Sequence, residues 1–414
     1  MKLILKKFII SNYNLSYISI VKPSINKLMK NFFYLLIITL CLWGCKKKKD
    51  DIQAIDYSCD CSKYGTNIIN FSFYHPLKLY PANNDRGNWG FIDSKGNMVI
   101  SPMYKETLWF SNNRARVLID FYGFIATDGT MAVPDGYRYI GAYFSANGLV
   151  GYASDVMNWG FMDMNGKNIL PFLYKDADPF HEDRAVVNYM NRFGAIDIAG
   201  NLKVPNQYMV VGTFSEGKAY AATLKGWLGY IGPNNEQIIS SRFAAAGIFI
   251  NGYAVVMDTV NFLYGYINGS GNYMIPPSFQ DAGPFWEYLA GVKVGNKWGF
   301  VDTLGNMVIQ PAFDDVLSGF FENLTGIKMG DTWGYADKTG QIVIQPQFKE
   351  IDMFYCGLAM VLFEDGHMGY IDKSGNIIWK SPILSLKNTL GTRRHIDNFR
   401  NTVTEKAILP RIHR

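Results

Sequence analysis

Between residues 86 and 382 the chain alternates short apolar runs with polar turn clusters in one recurring order. The segment Trp298-Gly299-Phe300-Val301 is followed by Asp302-Thr303-Leu304-Gly305, then Met307-Val308-Ile309, Pro311 and Phe313. Further on comes another aromatic and a second apolar run, such as Arg184-Ala185-Val186-Val187 or Leu358-Ala359-Met360-Val361. No 3.6-residue period of useful length intervenes, so strands and turns are predicted and helices are not. The expected unit is a β-meander of about three short strands.

The unit recurs. An aromatic-Gly step, with three looser copies, places Gly at 90, 123, 160, 194, 229, 265, 299, 334 and 369, at spacings of 33 to 37 residues. Six residues after each comes a second Gly, replaced only by Asn235, and Asn is the next most tolerant residue at positive φ. Asp or Asn usually stands three residues after the first Gly, as in Asp93, Asp163, Asp197, Asn268, Asp302, Asp337 and Asp372. Asp-x-x-Gly between two apolar runs reads as a hairpin with a three-residue loop and a bulge. The first Gly marks a place where another backbone or ring comes close. Pro102, Pro171, Pro205, Pro311 and Pro346 are expected to end the second strand, because Pro cannot donate to a ladder. Aromatics follow at fourteen residues (Tyr104 to Phe348, in eight copies) and near twenty (Phe180, Phe214, Phe249, Phe285, Phe354), where they are expected to fill the space between repeats.

The motif Trp-Gly-Phe-Ile-Asp-x-x-Gly-x-x-Val-Ile-x-Pro-x-Phe, met closely at 89–104, 298–313 and 333–348, resembles the WG-repeat family of bacterial proteins. The resemblance covers about residues 86–382 and implies no shared reaction. Copies four and five depart most, with Trp lost and a Gly232-Pro233-Asn234-Asn235 turn. The fold class expected is therefore all-β: a tandem array of about nine ~35-residue β-meander repeats, an open solenoid or superhelix in preference to a closed propeller.

The ends differ from the array. Residues 29–44 have a positive start at Lys30, an apolar run from Phe32 to Trp43, and Gly44 directly before Cys45. The run is too short for a bilayer span and suits a signal peptide. Leu42-Trp43-Gly44-Cys45 resembles a bacterial lipobox, which implies cleavage after Gly44 and lipidation of Cys45. Residues 45–56, beginning Cys45-Lys46-Lys47-Lys48-Lys49-Asp50-Asp51, read as a tether. Residues 57–85 read as an N-terminal cap and 383–414 as a basic C-terminal tail. The expected location is the bacterial cell envelope, as an outer-membrane lipoprotein facing periplasm or surface. Residues 1–28 precede a well-formed start at Met29 and read as a mis-assigned upstream extension.

The formal charge of +5 rests on the N-terminus: residues 1–44 hold six Lys and no acid, leaving 34 basic against 35 acidic residues. That balance gives no footing for nucleic-acid binding. Among the Cys, 41 lies in the signal, 59 and 61 either form a local disulfide or stay reduced, and 356 stands apart. The five His (75, 181, 367, 395, 413) show no metal-ligand spacing, and neither a Gly-Lys-Ser/Thr phosphate loop nor a Gly-x-Ser-x-Gly elbow occurs. One Asp per turn is too few ligands for a calcium loop.

No catalytic residue, metal or cofactor is therefore expected. The candidate binding aromatics are those off the repeat register: Trp109, Trp286 with Tyr288, and Trp379. The function expected is a non-enzymatic, envelope-anchored binding or scaffold module. Its partners are the membrane through Cys45 and a protein, peptidoglycan or glycan. The alternative is an envelope hydrolase with carboxylates converging between repeats. If translation starts at Met29, mass spectrometry of the protein from cells will find no peptide from residues 1–28; one such peptide would refute that start.

Overall fold

In the computed structural model the described residues are 78–384, apart from 155–157, 224–225 and 318. They hold 33 strands and no helix, gathered into eight antiparallel sheets: one for each of the first seven sequence repeats, and one of seven strands that the eighth and ninth share. The unit has one strand more than the meander expected. In the seventh repeat a two-residue strand, Asp281–Ala282, pairs with Leu289–Val294, which pairs with the aromatic-Gly strand Lys297–Asp302, which pairs with the long strand Met307–Phe313. The same order recurs in the second, fourth, fifth, sixth and eighth repeats, the first and third sheets lack the two-residue strand, and the eighth and ninth units share the ten-residue strand Ile342–Ile351. The first sheet takes in Tyr80–Asn83, inside the segment expected as a cap.

The aromatic-Gly step is explained by what lies over it. Between the pairs Phe300↔Ile309 and Trp298↔Phe313 the long strand spends four steps against two, so it bulges. The bulge bows onto the glycine: a β-carbon on Gly299 would lie 2.4 Å from the Ile309 carbonyl oxygen and 2.8 Å from the Pro311 nitrogen. Gly334 meets Ile344 and Pro346 in the same way, at 2.4 and 2.6 Å. Of the two approaches the sequence allowed, backbone or ring, the backbone is the one found.

The prolines correct an expectation. They do not end the second strand: Pro102 lies inside Met98–Tyr104, Pro171 inside Asn168–Tyr174 and Pro311 inside Met307–Phe313. A bulged stretch is released from the ladder, so the missing N–H breaks no pairing there. The turns are as read. Asp302 N–H donates to the Asn306 carbonyl, Gly305 N–H donates to the Asp302 carbonyl at 3.0 Å, and Gly305 has φ +86°. Asn235, in the one turn lacking Gly, has φ +73°.

Repeats join through two recurring contacts. The ring one residue after the Gly meets the aromatic near position twenty, as in Phe91–Phe110, Phe161–Phe180, Tyr266–Phe285 and Tyr335–Phe354, with centroids 4.6 to 4.8 Å apart. Each turn glycine also sits on an aliphatic side chain of the preceding repeat: Gly129 on Ile100, Gly200 on Leu170, Gly305 on Ile275, Gly340 on Ile309. A β-carbon at these glycines would lie 3.0 to 3.3 Å from that side chain.

The array is open at the level of its sheets: none closes into a barrel, and among the described residues no ladder joins Ile377–Leu384 to Tyr80–Asn83. Side chains nonetheless bring its two ends together. Gly96 of the first repeat lies against the backbone carbonyl of Ile378 in the ninth, where the other turn glycines lie against an aliphatic side chain of the preceding repeat. Tyr370 Oη donates to the Pro81 carbonyl at 2.9 Å, Tyr80 Oη to the Cys356 carbonyl at 2.8 Å, and Ser381 Oγ to Asn83 Oδ1 at 2.7 Å. One buried cluster accordingly spans Leu79, Tyr80 and Phe91 of the first repeat and Met360, Met368 and Tyr370 of the ninth.

Gly334→Ala is expected to destabilise the chain by ~3 kcal/mol or more, because a backbone must move. Gly330→Ala, at φ +61° with open space around it, is expected to cost only ~1 kcal/mol. Urea unfolding of the two variants checks the order.

Candidate functional site: the inter-repeat turns

The structure separates the four candidate aromatics. Trp286 is buried, 3% exposed, and its ring lies 5.0 Å from that of Phe321. Trp109 is partly buried and sets its edge against Tyr80, Tyr355 and Tyr370 at 5.5 to 6.0 Å. Trp379 is partly buried 5.9 Å from Tyr370. All three belong to or pack on the cluster that joins the ends of the array. Tyr288 differs: it is 71% exposed, at φ +69° in a two-residue turn. Cys45, Cys59, Cys61 and the tail 385–414 lie outside the described residues.

Tyr288 belongs to a feature that the sequence reading missed. Just after the aromatic near position twenty, the chain turns back on itself through residues at positive φ: Asn112-Asn113, Glu182-Asp183, Glu216-Gly217, Asn251-Gly252, Glu287-Tyr288, Glu322-Asn323 and Cys356-Gly357. A backbone bridge closes each, as in Phe321↔Leu324. Two consecutive residues at positive φ make a type I′ hairpin, which favours Asn and Gly and penalises Glu. Glu at the first position therefore needs a compensating bond, and four repeats show it. The Glu182 carboxylate accepts N–H bonds from Glu216 and Gly217 of the next repeat at 2.6 and 2.8 Å. Glu216 accepts from Gly252 at 3.0 Å, Glu287 from Asn323 at 3.1 Å and Glu322 from Gly357 at 3.0 Å. Lys338 and Lys373, in the next repeat's Asp-x-x-Gly turn, pair with Glu287 and Glu322 at 2.8 and 2.7 Å. Asn112 does the related job as a donor, to the carbonyls of Phe144 and Ser145 at 2.8 and 2.7 Å. The readable signal was the recurrent Glu or Asn two residues after that aromatic.

The other recurrent acids are equally committed. Asp197 Oδ1 accepts N–H bonds from Ala199 and Asn201 at 3.0 and 2.9 Å, and Oδ2 accepts from the Asn201 side chain. The Asn201 side-chain bond leads the causes that hold its carboxyl down at about 2. Asp337 is also held below the usual range, chiefly by the Thr339 hydroxyl. Burial pushes the Tyr230, Tyr266, Tyr335 and Tyr370 hydroxyls well up, and each donates to a carbonyl outside its own strand. Among the described residues, no group of three or more His, Cys, Asp or Glu is placed to hold a metal ion.

Six segments, 89–120, 159–191, 229–258, 264–298, 298–333 and 333–366, match the family model described as WG containing repeat. The chain carries WG-containing repeats. The matched segments include the fifth copy, whose Trp is lost, while the strand around Gly194 in the fourth falls between matches. No curated protein matches the chain. Among solved structures, one titled as the eukaryotic initiation factor is 12% identical with a TM-score of 0.54, covering 73% of this chain and 95% of its own. The computationally designed Ika8 protein is 13% identical with a TM-score of 0.42, covering 68% of this chain and 97% of its own. BamB from Moraxella catarrhalis is 9% identical with a TM-score of 0.39, covering 66% and 94%. The first of these likenesses is one of fold alone, and the other two carry no argument.

In this WG-repeat array Glu322 is buried and braced by both Gly357 and Lys373. Glu322→Ala strands the Gly357 N–H and is expected to cost ~2 kcal/mol. Lys373→Ala removes a partly exposed partner and should cost ~0.5 kcal/mol or less. Equal losses in denaturant titrations would contradict the assignment of the backbone bond as the main one.

Proposed function

We propose that this WG-repeat chain is a non-enzymatic binding or scaffold module of the bacterial cell envelope, held to a membrane by lipid on Cys45. The observation that supports it most is the use made of the acids. The carboxylates that recur with the repeat close Asp-x-x-Gly turns or bind the next repeat's backbone. Acids so bound serve the frame rather than proton transfer, and they set exposed turns at a regular spacing. A repeat array with its end units in contact offers partners a broad, rigid surface. Its partner is a protein, peptidoglycan or glycan. The Gly44-Cys45 step supports the anchor, and an outer-membrane lipoprotein facing periplasm or surface is the location proposed.

Wild-type protein should fractionate with membranes, and Cys45→Ala should move most of it to the soluble fraction. Detergent-solubilised full chain should retain one saturable partner from envelope extracts or one glycan class on an array. Release of soluble fragments from an envelope polymer would overturn the non-enzymatic reading.

A further inference from the structure

The sixth repeat departs from the others in its Asp-x-x-Gly turn. Six repeats carry Asp there, followed by Ser94, Met164, Ile198, Thr303, Lys338 or Lys373; the sixth has Asn268 followed by Gly269. The fold asks for neither change. Gly269 does not lie at positive φ, and a β-carbon on it would meet the end of the Lys218 side chain at ordinary contact distances of 3.5 and 3.6 Å. The chain's other Asn-Gly steps are different. Gly148, Gly166 and Gly252 are held at φ +78°, +81° and +83°, where glycine alone fits without strain.

Asn before Gly carries an electrophile, its side-chain Cγ, beside a nucleophile, the next backbone nitrogen. The turn prepares both. Asn268 Oδ1 accepts the N–H groups of Ser270 and Asn272 at 3.1 and 3.0 Å, so two donors already face the oxygen on which charge grows when Cγ is attacked. Nδ2, the leaving group, donates weakly to the Met274 sulfur at 3.6 Å. The Gly269 N–H makes no hydrogen bond among the described residues. In the other three steps the same N–H is engaged. Gly148 donates to the Ser145 carbonyl at 2.8 Å, Gly166 to the Asp163 carbonyl at 3.0 Å and Gly252 to the Glu216 carboxylate at 3.0 Å. The Lys218 ammonium, reaching over from the fifth repeat to Gly269, favours loss of that N–H proton, because a neighbouring cation stabilises the anion left behind.

We propose that Asn268-Gly269 is a self-modifying site, which deamidates in the folded protein without an enzyme. The Gly269 nitrogen gives its proton to solvent and bonds to Asn268 Cγ. The Cγ–Nδ2 bond then breaks, and Nδ2 takes up a proton and leaves as ammonia. Water opens the resulting succinimide at one of its two carbonyls. One opening leaves Asp at position 268 in an unchanged main chain; the other routes the main chain through the side chain as isoaspartate. The balance is that of a hydrolysis, with water taken up and ammonia released, and the reaction needs neither membrane nor partner. Aspartate is a product that the fold accepts. Asp302 closes the same turn in the next repeat, with Oδ1 accepting the Leu304 and Asn306 N–H groups at 2.9 Å. The new negative charge arises one residue from Gly269, against which the Lys218 ammonium lies. Isoaspartate instead lengthens by one atom a turn that the Gly271 N–H closes on the Asn268 carbonyl at 2.9 Å.

Full-length folded protein is held in mildly alkaline buffer, sampled over days, digested and mapped by mass spectrometry, with isoaspartate counted by protein isoaspartyl methyltransferase. The Asn268 peptide is expected to pass from amide to acid roughly tenfold faster than those of Asn147, Asn165 and Asn251, whose glycine N–H bonds must first be given up. In urea, where those bonds are gone, the four rates should converge. Gly269→Ala, for which the turn has room, is expected to melt near the parent and to slow conversion at Asn268 roughly tenfold, since a side chain restricts the backbone that must attack. If it melts early, Lys218→Gln is read instead, with a severalfold fall in rate. An Asn268 that keeps its amide in the folded chain while the urea-unfolded chain converts would overturn the site. So would four equal rates in the folded chain, or a folded variant that converts as fast as the parent.

Discussion

The structure depends on one close approach: a long-strand carbonyl laid over a glycine that has no β-carbon to meet it. The approach is possible because the long strand bulges there, spending four residues against two on its partner. The bulge frees a stretch of backbone from the ladder, and that is where Pro is tolerated. It also turns the end of the strand toward the next repeat. Gly, Pro and the later aromatics are thus parts of one device. A bulged edge crosses a bare backbone and then hands the chain on.

Joining the units is a second matter, handled by side chains. Ring meets ring across the junctions, except in the fourth repeat where Ala195 replaces the ring, and a turn glycine rests on the aliphatic side chain before it. Type I′ turns carry Glu at positive φ, where only a bond to the next repeat makes Glu acceptable. These contacts relate neighbours, and the ninth repeat meets the first through others. Tyr370 then finds its hydroxyl partner at Pro81 instead of in a following connector, and Tyr80 caps the Cys356 carbonyl. End repeats that would otherwise expose apolar faces cover one another.

That contact between the ends changes the standing of the aromatics outside the repeat register. Trp109, Trp286 and Trp379 break the pattern because they pack where the first and last repeats and the late turns come together. An irregular residue in a repeat protein marks either a ligand or a place where the repeats meet unequal neighbours, and sequence alone does not distinguish these. Tyr288, on a turn tip, is the one of the four that faces solvent.

The sequence by itself determined the unit. Nine registers of Gly, the Asp-x-x-Gly turns and the aromatic at fourteen residues identify strands, hairpins and an all-β array, because turn chemistry and side-chain alternation are local properties. It also pointed to a backbone or ring close to the first Gly, without deciding which. It misplaced the strand end at Pro, since whether a missing N–H matters depends on a bulge that only the partner strand reveals. The carboxylate latches were written in the recurrent Glu or Asn, but their meaning required the neighbouring turn, some 35 residues away, to be seen beside them. The meeting of the two ends was decided by the tertiary structure. It depends on the sum of small rotations between units, a quantity that no single repeat encodes.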